Sequence, residues 1–404
     1  MRTWLAMLAG KTLRFLLRLV RRGGGSALPG TLAFKIQPKL LEKAIASAPL
    51  GLVVVSGTAG KSSTTKVLVE LLRAHGLKVF TNPSTANIRQ GFYASVLQFG
   101  NLRGKIDADI AVMEWDEGHG AIFAAELKPR LAVLTNVLSD QLDRFVDPVF
   151  VQKKLEAIAI SSQVVIANRD DKNITQIVSN HPEALGFGLS SSVTEPHPEY
   201  ALNFGEHQQL PESAMVTHAD HVAMSIKIGD SNIDFTGDYA NLPQALNISA
   251  ALLAASKLIK LDAAKAKEVV ETMPPVFARD EMVDIAGRKV RLMLVQNPTS
   301  FQLNLNKFAA TPSPLMMMAG RDIHDPSWLW TVNFDGISRV DIVSGFNAYE
   351  LALRLHFANV EIGEVIPEID LANDRFAQLE GDSPTIVFSA DAMRRTRRYL
   401  RLAK

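Results

Sequence analysis

The stretch LVVVSGTAGKSSTT, residues 52–65, decides the reading of the fold. Leu52 to Val55 is a continuous apolar run of the kind that forms a strand covered on both faces. Gly57-Thr58-Ala59-Gly60 then turns the chain. From Ser62 to His75 the apolar residues Val67, Leu68, Leu71 and Leu72 keep helical spacing until Gly76 stops them. Lys78 to Phe80 resumes a strand, which completes a β-loop-α-β unit. Glycine turns precede many helices, but here Lys61 and Ser62 stand at the helix start. Glycines let backbone N–H groups approach phosphate oxygens, and a helix N-terminus favours negative charge. Lys61 can neutralise β- and γ-phosphates, and Ser62 can ligate Mg2+. Gly57, Thr58, Gly60, Lys61, Ser62 and Ser63 are therefore the candidate ATP-binding residues, with Lys61 also a catalytic candidate.

Downstream, apolar runs at Ile110 to Met113, Leu131 to Leu134 and Val164 to Ile166 alternate with helical stretches, which argues for a mostly parallel sheet covered on both faces. Residues 190–238 break that rhythm with prolines, histidines and short alternating pieces, and read as a variable insert. A helix over Pro243 to Ile259 precedes Thr272-Met-Pro-Pro-Val276, a domain boundary. Strands at Val290 to Val295, Leu315 to Met318, Val340 to Val343 and Thr385 to Phe388, with a helix at Tyr349 to His356, form a smaller Rossmann-like α/β domain. The expected division is 1–48 for an N-terminal basic amphipathic helix and glycine-rich linker, 49–274 for the ATP-binding domain and 275–404 for the C-terminal domain. Gln37 to Ser47 reads as a short helix.

At 404 residues, 47% hydrophobic and 21% charged, the chain can bury several cores. A net charge of +1 supplies no general field for nucleic acid. The absence of cysteine excludes disulfides, a thiolate zinc site and a cysteine nucleophile, so cytoplasm is the expected compartment. In residues 1–22, Lys11, Arg14, Arg18 and Arg21 fall three and four apart beside Trp4, Leu5, Leu8, Phe15, Leu16 and Leu19. That helix is too short and too charged to span a bilayer. It can lie on the inner face of an anionic membrane or dock on its own domain.

The words GTAGKSSTT and TNPSTANIRQG (81–91) resemble the GTNGKTTTT and TN-x-x-GAN-x-x-G motifs of Mur ligases. GGGSALPG (23–30), TNVLSDQLDR (135–144), LVQNPTSF (294–301) and DIHDPSWLW (322–330) extend the resemblance to MurT-type ligase subunits of lipid II isoglutaminyl synthases. It implies a central P-loop domain of the Mur ligase kind, ATP and Mg2+ as cofactors, and roles for matching residues. Glu114 opens Glu-Trp-Asp-Glu, similar to Glu-Val-Asp-Glu, and is the second Mg2+ ligand; acidic clusters are otherwise common on surfaces. Asn136 and Asp140 match the family's Thr-Asn and Asp-Gln-Leu-Asp-Arg stretch, with Ser139 replacing an arginine. Asn247, in Asn-Ile-Ser-Ala-Ala, matches an adenine-contacting asparagine with Asn241 upstream at altered spacing, against the alternative of a helix cap. Arg279 matches an arginine that reaches the γ-phosphate, against the alternative of a surface salt bridge. Gln296 replaces a lysine. Asp325 matches an aspartate that completes a cysteine-histidine triad on a partner glutaminase, though Asp-Pro also starts turns. Lys153 or Lys154 lies near a carbamoylated lysine of other Mur ligases, with a solvated lysine the plainer reading. The four-cysteine zinc ribbon common in MurT subunits cannot form.

The chemistry so implied is ATP-dependent amidation of the α-carboxyl of D-glutamate in the lipid II stem peptide, giving D-isoglutamine through an acyl phosphate. Ammonia would come from a GatD-like glutaminase in a heterodimer. The short segment before the loop leaves no room for a UDP-binding domain, in keeping with a lipid-linked substrate. Two alternatives stand beside it: a Mur-type amino-acid ligase resembling folylpolyglutamate or poly-γ-glutamate synthases, and a non-catalytic ATP-binding scaffold.

Overall fold

A computed structural model describes residues 1–19, 27–82, 88–137, 148–193, 210–239, 242–273, 279–285 and 287–402. The described residues divide into two compact units, one lying within residues 1–273 and the other within residues 279–402.

The first unit begins with three helices, α1 (Arg2–Leu19), α2 (Ala27–Ile36) and α3 (Leu40–Ile45). Its sheet elements and their helices then alternate: β1 (Leu52–Ser56), α4 (Lys61–Ala74), β2 (Val79–Thr81), α5 (Arg89–Phe99), β3 (Ile110–Glu114), α6 (Glu117–Leu127), β4 (Leu131–Leu134), α7 (Pro148–Ser161), β5 (Val164–Asn168), α8 (Lys172–Val178) and β6 (Ala184–Leu189). These strands run parallel, in the order β2-β3-β1-β4-β5-β6. The stretch read as an insert supplies β7 (Glu212–Ala219), β8 (Ala223–Ile228) and β9 (Ser231–Thr236), which extend that sheet, β7 parallel to β6 and the last two antiparallel. α9 (Leu242–Leu258) and α10 (Ala263–Thr272) complete the unit.

Every residue of β1, β3 and β4 is buried. The cause is helical cover on both sides: α4 and α9 pack together on one face, while α6, α7 and α8 pack in series on the other. A strand covered twice has no solvent face, hence the unbroken apolar runs. Pro29 and Gly30, residues that commonly break a helix, both lie inside α2. A Cβ at Gly30 would strike the carbonyl of Gln90, so glycine there serves the close packing of α2 on α5.

The second unit holds β10 (Arg279–Ile285), β11 (Arg288–Val295), α11 (Pro298–Leu305), β12 (Leu315–Met318), a 3-10 turn (Pro326–Thr331), β13 (Arg339–Ser344), α12 (Ala348–Phe357), β14 (Glu361–Ile366), α13 (Ile369–Ala377), β15 (Thr385–Ser389) and α14 (Ala390–Tyr399). Its sheet order is β10-β11-β15-β12-β13-β14, antiparallel only at β10-β11. Alternation along β12 feeds two cores: Leu315 and Met317 join one with Phe301, Leu329 and Leu351, and Met316 and Met318 join another with Phe376 and Phe388.

Candidate active site

β1 delivers the chain to the carboxyl edge of the first sheet, and the four residues that follow form a tight turn into α4. Gly57 and Gly60 both have positive φ, +128° and +85°. Neither has room for a side chain: an added Cβ would meet Thr135 Oγ1 at the first and Asn247 Oδ1 at the second. The loop is braced from the neighbouring strand end. Asn136 accepts at its carbonyl from Thr58 N (2.9 Å), and its Oδ1 accepts from Ala59 N (2.8 Å). Its Nδ2 and Thr135 Oγ1 both donate to Ala59 O, at 3.2 and 2.7 Å. Thr135 and Asn136 are thus the loop's scaffold, buried behind it.

Asn247 lies inside α9, five residues past its start, so it does not cap that helix. Its Oδ1 accepts from Thr64 Oγ1 at 3.3 Å, beside Gly60. The structure therefore brings Asn247 from far along the sequence to the loop.

Lys61 folds its ammonium back over the loop, donating to Gly57 O and Thr58 O and pairing with Glu117 Oε1 at 2.7 Å. The Lys61 and Glu117 side chains are 12% and 3% exposed, so this contact is shielded from water. The second carboxylate oxygen, Oε2, is buried without a hydrogen-bond partner among the described residues. The sequence reading missed this pairing. Its only signal was the last acid of Glu-Trp-Asp-Glu, three residues after the proposed metal ligand.

Glu114 is buried at the end of β3, in register with Val55 of β1, one strand from the loop. Asn82 fixes its backbone on both sides: Asn82 Oδ1 accepts from Glu114 N at 3.0 Å, and Nδ2 donates to Glu114 O at 3.1 Å. Asp116 is a helix cap instead, its carboxylate accepting from Gly118 N and His119 N at the start of α6.

Behind the brace, Asp171 caps α8 through Asn173 N and Ile174 N and accepts from Val137 N at 2.8 Å. Burial pushes its carboxyl up to about 6 despite those hydrogen bonds.

Phosphate and Mg2+ fit this donor set. The glycine turn leaves space only for backbone, Lys61 supplies a cation, and Ser62 and Glu114 offer a hydroxyl and a carboxylate. Hard oxygen donors of that kind suit Mg2+, which keeps waters and substrate phosphates as its remaining ligands. Among the described residues no three His, Cys, Asp or Glu cluster as a self-sufficient metal cage. Lys154 on α7 places its ammonium over the Phe150 ring, 4.9 Å from the centroid. Asp140, Ser139 and Asn241 lie outside the described residues.

In the second unit, Asp325 is exposed and caps the 3-10 turn by accepting from Ser327 N at 2.9 Å. The Ser327 hydrogen bonds hold its carboxyl below the usual carboxylate range. Asp322, three residues earlier, is engaged differently, accepting from Ser389 Oγ (2.6 Å), Ala390 N (2.8 Å) and Asp391 N (3.0 Å) and so capping α14. Asn297 closes a capping box with Ser300 at the start of α11. Gln296 precedes it, and Arg279 begins β10; the Arg279 side chain lies outside what is described.

The Mur ligase middle domain family model matches residues 55–255, and the MurT ligase C-terminal model matches residues 294–388. The chain is 27% identical over 400 residues to the MurT subunit of the glutamine-hydrolyzing lipid II isoglutaminyl synthase of Streptococcus pneumoniae, covering 88% of this chain and 87% of that one. It is 24% identical to the corresponding subunit of Staphylococcus aureus strain COL, covering 92% and 91%. In three dimensions it resembles the MurF ligase of Thermotoga maritima, solved in complex with ADP. That match has a TM-score of 0.63 at 18% identity, and covers 92% of this chain and 84% of that one.

Proposed function

We propose that this chain, which belongs to the Mur ligase family and ends in a domain of the MurT kind, is the ligase subunit of a lipid II isoglutaminyl synthase. Its reaction is ATP-driven conversion of the D-glutamate α-carboxyl in the lipid II stem peptide to the amide. The observation that carries the reading is the shielded Lys61 on a glycine loop braced by Asn136, in a chain whose C-terminal match includes the exposed Asp325 turn.

The substrate carboxylate attacks the γ-phosphorus, the bond to the β-bridging oxygen breaks, and ADP leaves. Ammonia then adds to the acyl carbon, loses a proton, and expels inorganic phosphate. The chain's part is positioning and charge neutralisation. Backbone N–H groups of the loop and first turn of α4 bind phosphate oxygens, and Lys61 exchanges Glu117 for the β/γ-phosphates. Ser62 and Glu114 would hold Mg2+, which supplies countercharge to the phosphates. Asn247 serves the nucleotide from beside Gly60, and Arg279 the γ-phosphate as the resemblance implies.

A nucleophilic cysteine for glutamine hydrolysis has to come from another chain, since this one has none. We assign that role to a GatD-like glutaminase, with Asp325 orienting its histidine. A carboxylate that stays ionised, as the Ser327 bonds favour, stabilises an imidazolium. Lipid II places the work at the cytoplasmic face of the cell membrane.

The test is ADP release by this chain mixed with a candidate glutaminase, lipid II, glutamine and Mg2+. Turnover dependent on all components is expected. ATP binding without turnover would replace the enzyme with a scaffold, and turnover with a free amino acid in place of ammonia would replace it with an amino-acid ligase.

A further inference from the structure

Helix α1 divides its circumference between two uses. Thr3, Ala6, Met7 and Gly10 face the body of the first unit. Ala6 and Met7 are fully buried, Thr3 Oγ1 accepts from Gln37 Nε2 at 3.0 Å, and a Cβ on Gly10 would strike the Leu97 side chain. Arg14 reaches inward to Gln98. The opposite stripe is Trp4, Leu5, Leu8, Phe15, Leu16 and Leu19, spaced to occupy roughly a third of the helix surface. All six are exposed, Phe15 by 64% and Leu19 by 70%. Ordinary folding does not leave so long an apolar stripe on a helix that is already docked.

Charge around the stripe selects the occupant. Residues 1–41 contain eight Lys and Arg and no Asp or Glu. The adjoining turn continues the pattern: Gly104 packs on Thr3, and its neighbours Leu102, Arg103 and Lys105 are exposed. Among the described residues no helix is long and apolar enough to cross a bilayer. Apolar and aromatic residues on one side of a helix whose own charged residues are all cations match the headgroup boundary of an anionic membrane.

We propose that the outward face of α1 is a membrane-binding surface, lying in the plane of an anionic bilayer while the inner face holds it rigidly to the ligase body. This goes beyond the ligase reading and does not depend on it. A rigid dock orients the whole unit on the membrane, which a loosely tethered helix would not.

Vesicle co-sedimentation of the full chain tests this, comparing phosphatidylcholine vesicles with mixed phosphatidylcholine and phosphatidylglycerol vesicles. Binding to the anionic vesicles is expected, falling with added salt, and brominated lipid should quench fluorescence in the wild type but less in Trp4→Phe. The triple variant Leu8→Ser, Phe15→Ser, Leu19→Ser should lose about tenfold or more in partitioning. Its melting temperature and ATP binding should stay unchanged, because the three side chains face away from the body. Equal partitioning of wild type and triple variant would overturn the proposal, as would salt-independent binding to neutral vesicles. So would a concentration-dependent dimer that the triple variant disperses, since a second copy of the chain would then be the occupant.

Discussion

Lys61 and Asp325 each stand at the start of a helical turn, yet their surroundings differ in kind. Lys61 is enclosed by its own domain: loop carbonyls and Glu117 from α6 meet its ammonium, and the Asn136 brace from the next strand end holds the loop at Thr58 and Ala59. The Asp325 carboxylate accepts from Ser327 and is exposed to solvent. A group finished by its own chain works wherever the domain folds, whereas the proposed role of Asp325 needs a second protein to be brought to it. The contrast between Asp325 and Asp322 sharpens the point, because Asp322 is held by three donors at the start of α14, two on Oδ1 and one on Oδ2, within its own domain.

Lys61→Ala strikes the enclosed site and should have the largest effect. Amidation should fall roughly a thousandfold with glutamine or free ammonia alike, while binding of the glutaminase persists. Asp325→Asn tests the open site, and glutamine-driven amidation should fall about a hundredfold or more while ammonia-driven amidation is kept. Equal losses with both nitrogen sources would erase the distinction between the two regions.

Two smaller effects probe how the enclosed site is supported. Asp171, raised to about 6 from an ordinary 3.8, binds a proton more readily folded than unfolded. Its contribution is therefore most favourable below the unfolded value and is lost as pH rises through about 6. Asp171→Asn should remove that slope, worth roughly 2–3 kcal/mol over the window, in urea midpoints measured from acid to neutral pH. Asn136→Ala removes hydrogen bonds to Ala59 and should cost about 1–2 kcal/mol in unfolding free energy, with weaker ATP binding by calorimetry. An unchanged ATP affinity in that variant would show that the brace does not shape the loop.

Much of this was legible in the sequence because parallel strands buried on both faces announce themselves as apolar runs. β1, β3, β4, β5 and β12 fall on their expected residues within two positions. The same rule explains what was missed. β14 reads Glu-Ile-Gly-Glu-Val-Ile, an edge strand without a buried face, and carries no such run. Helix α2 hid behind Pro29 and Gly30, since nothing local tells a turn glycine from one that admits a neighbouring helix. At the site, the loop glycines and Lys61 were visible as a contiguous word. Glu117, Asn82 and Asp171 act through contacts made only once strands from separate segments align, and periodicity holds no trace of that.

The most direct test of the central claim follows the oxygen atoms. With lipid II heavy-oxygen-labelled in the D-glutamate α-carboxyl, incubation with this chain, ATP, Mg2+ and ammonia should transfer one labelled oxygen to inorganic phosphate for each amide formed. Amidation that leaves the phosphate unlabelled would contradict activation of the acid by the γ-phosphate held at Lys61.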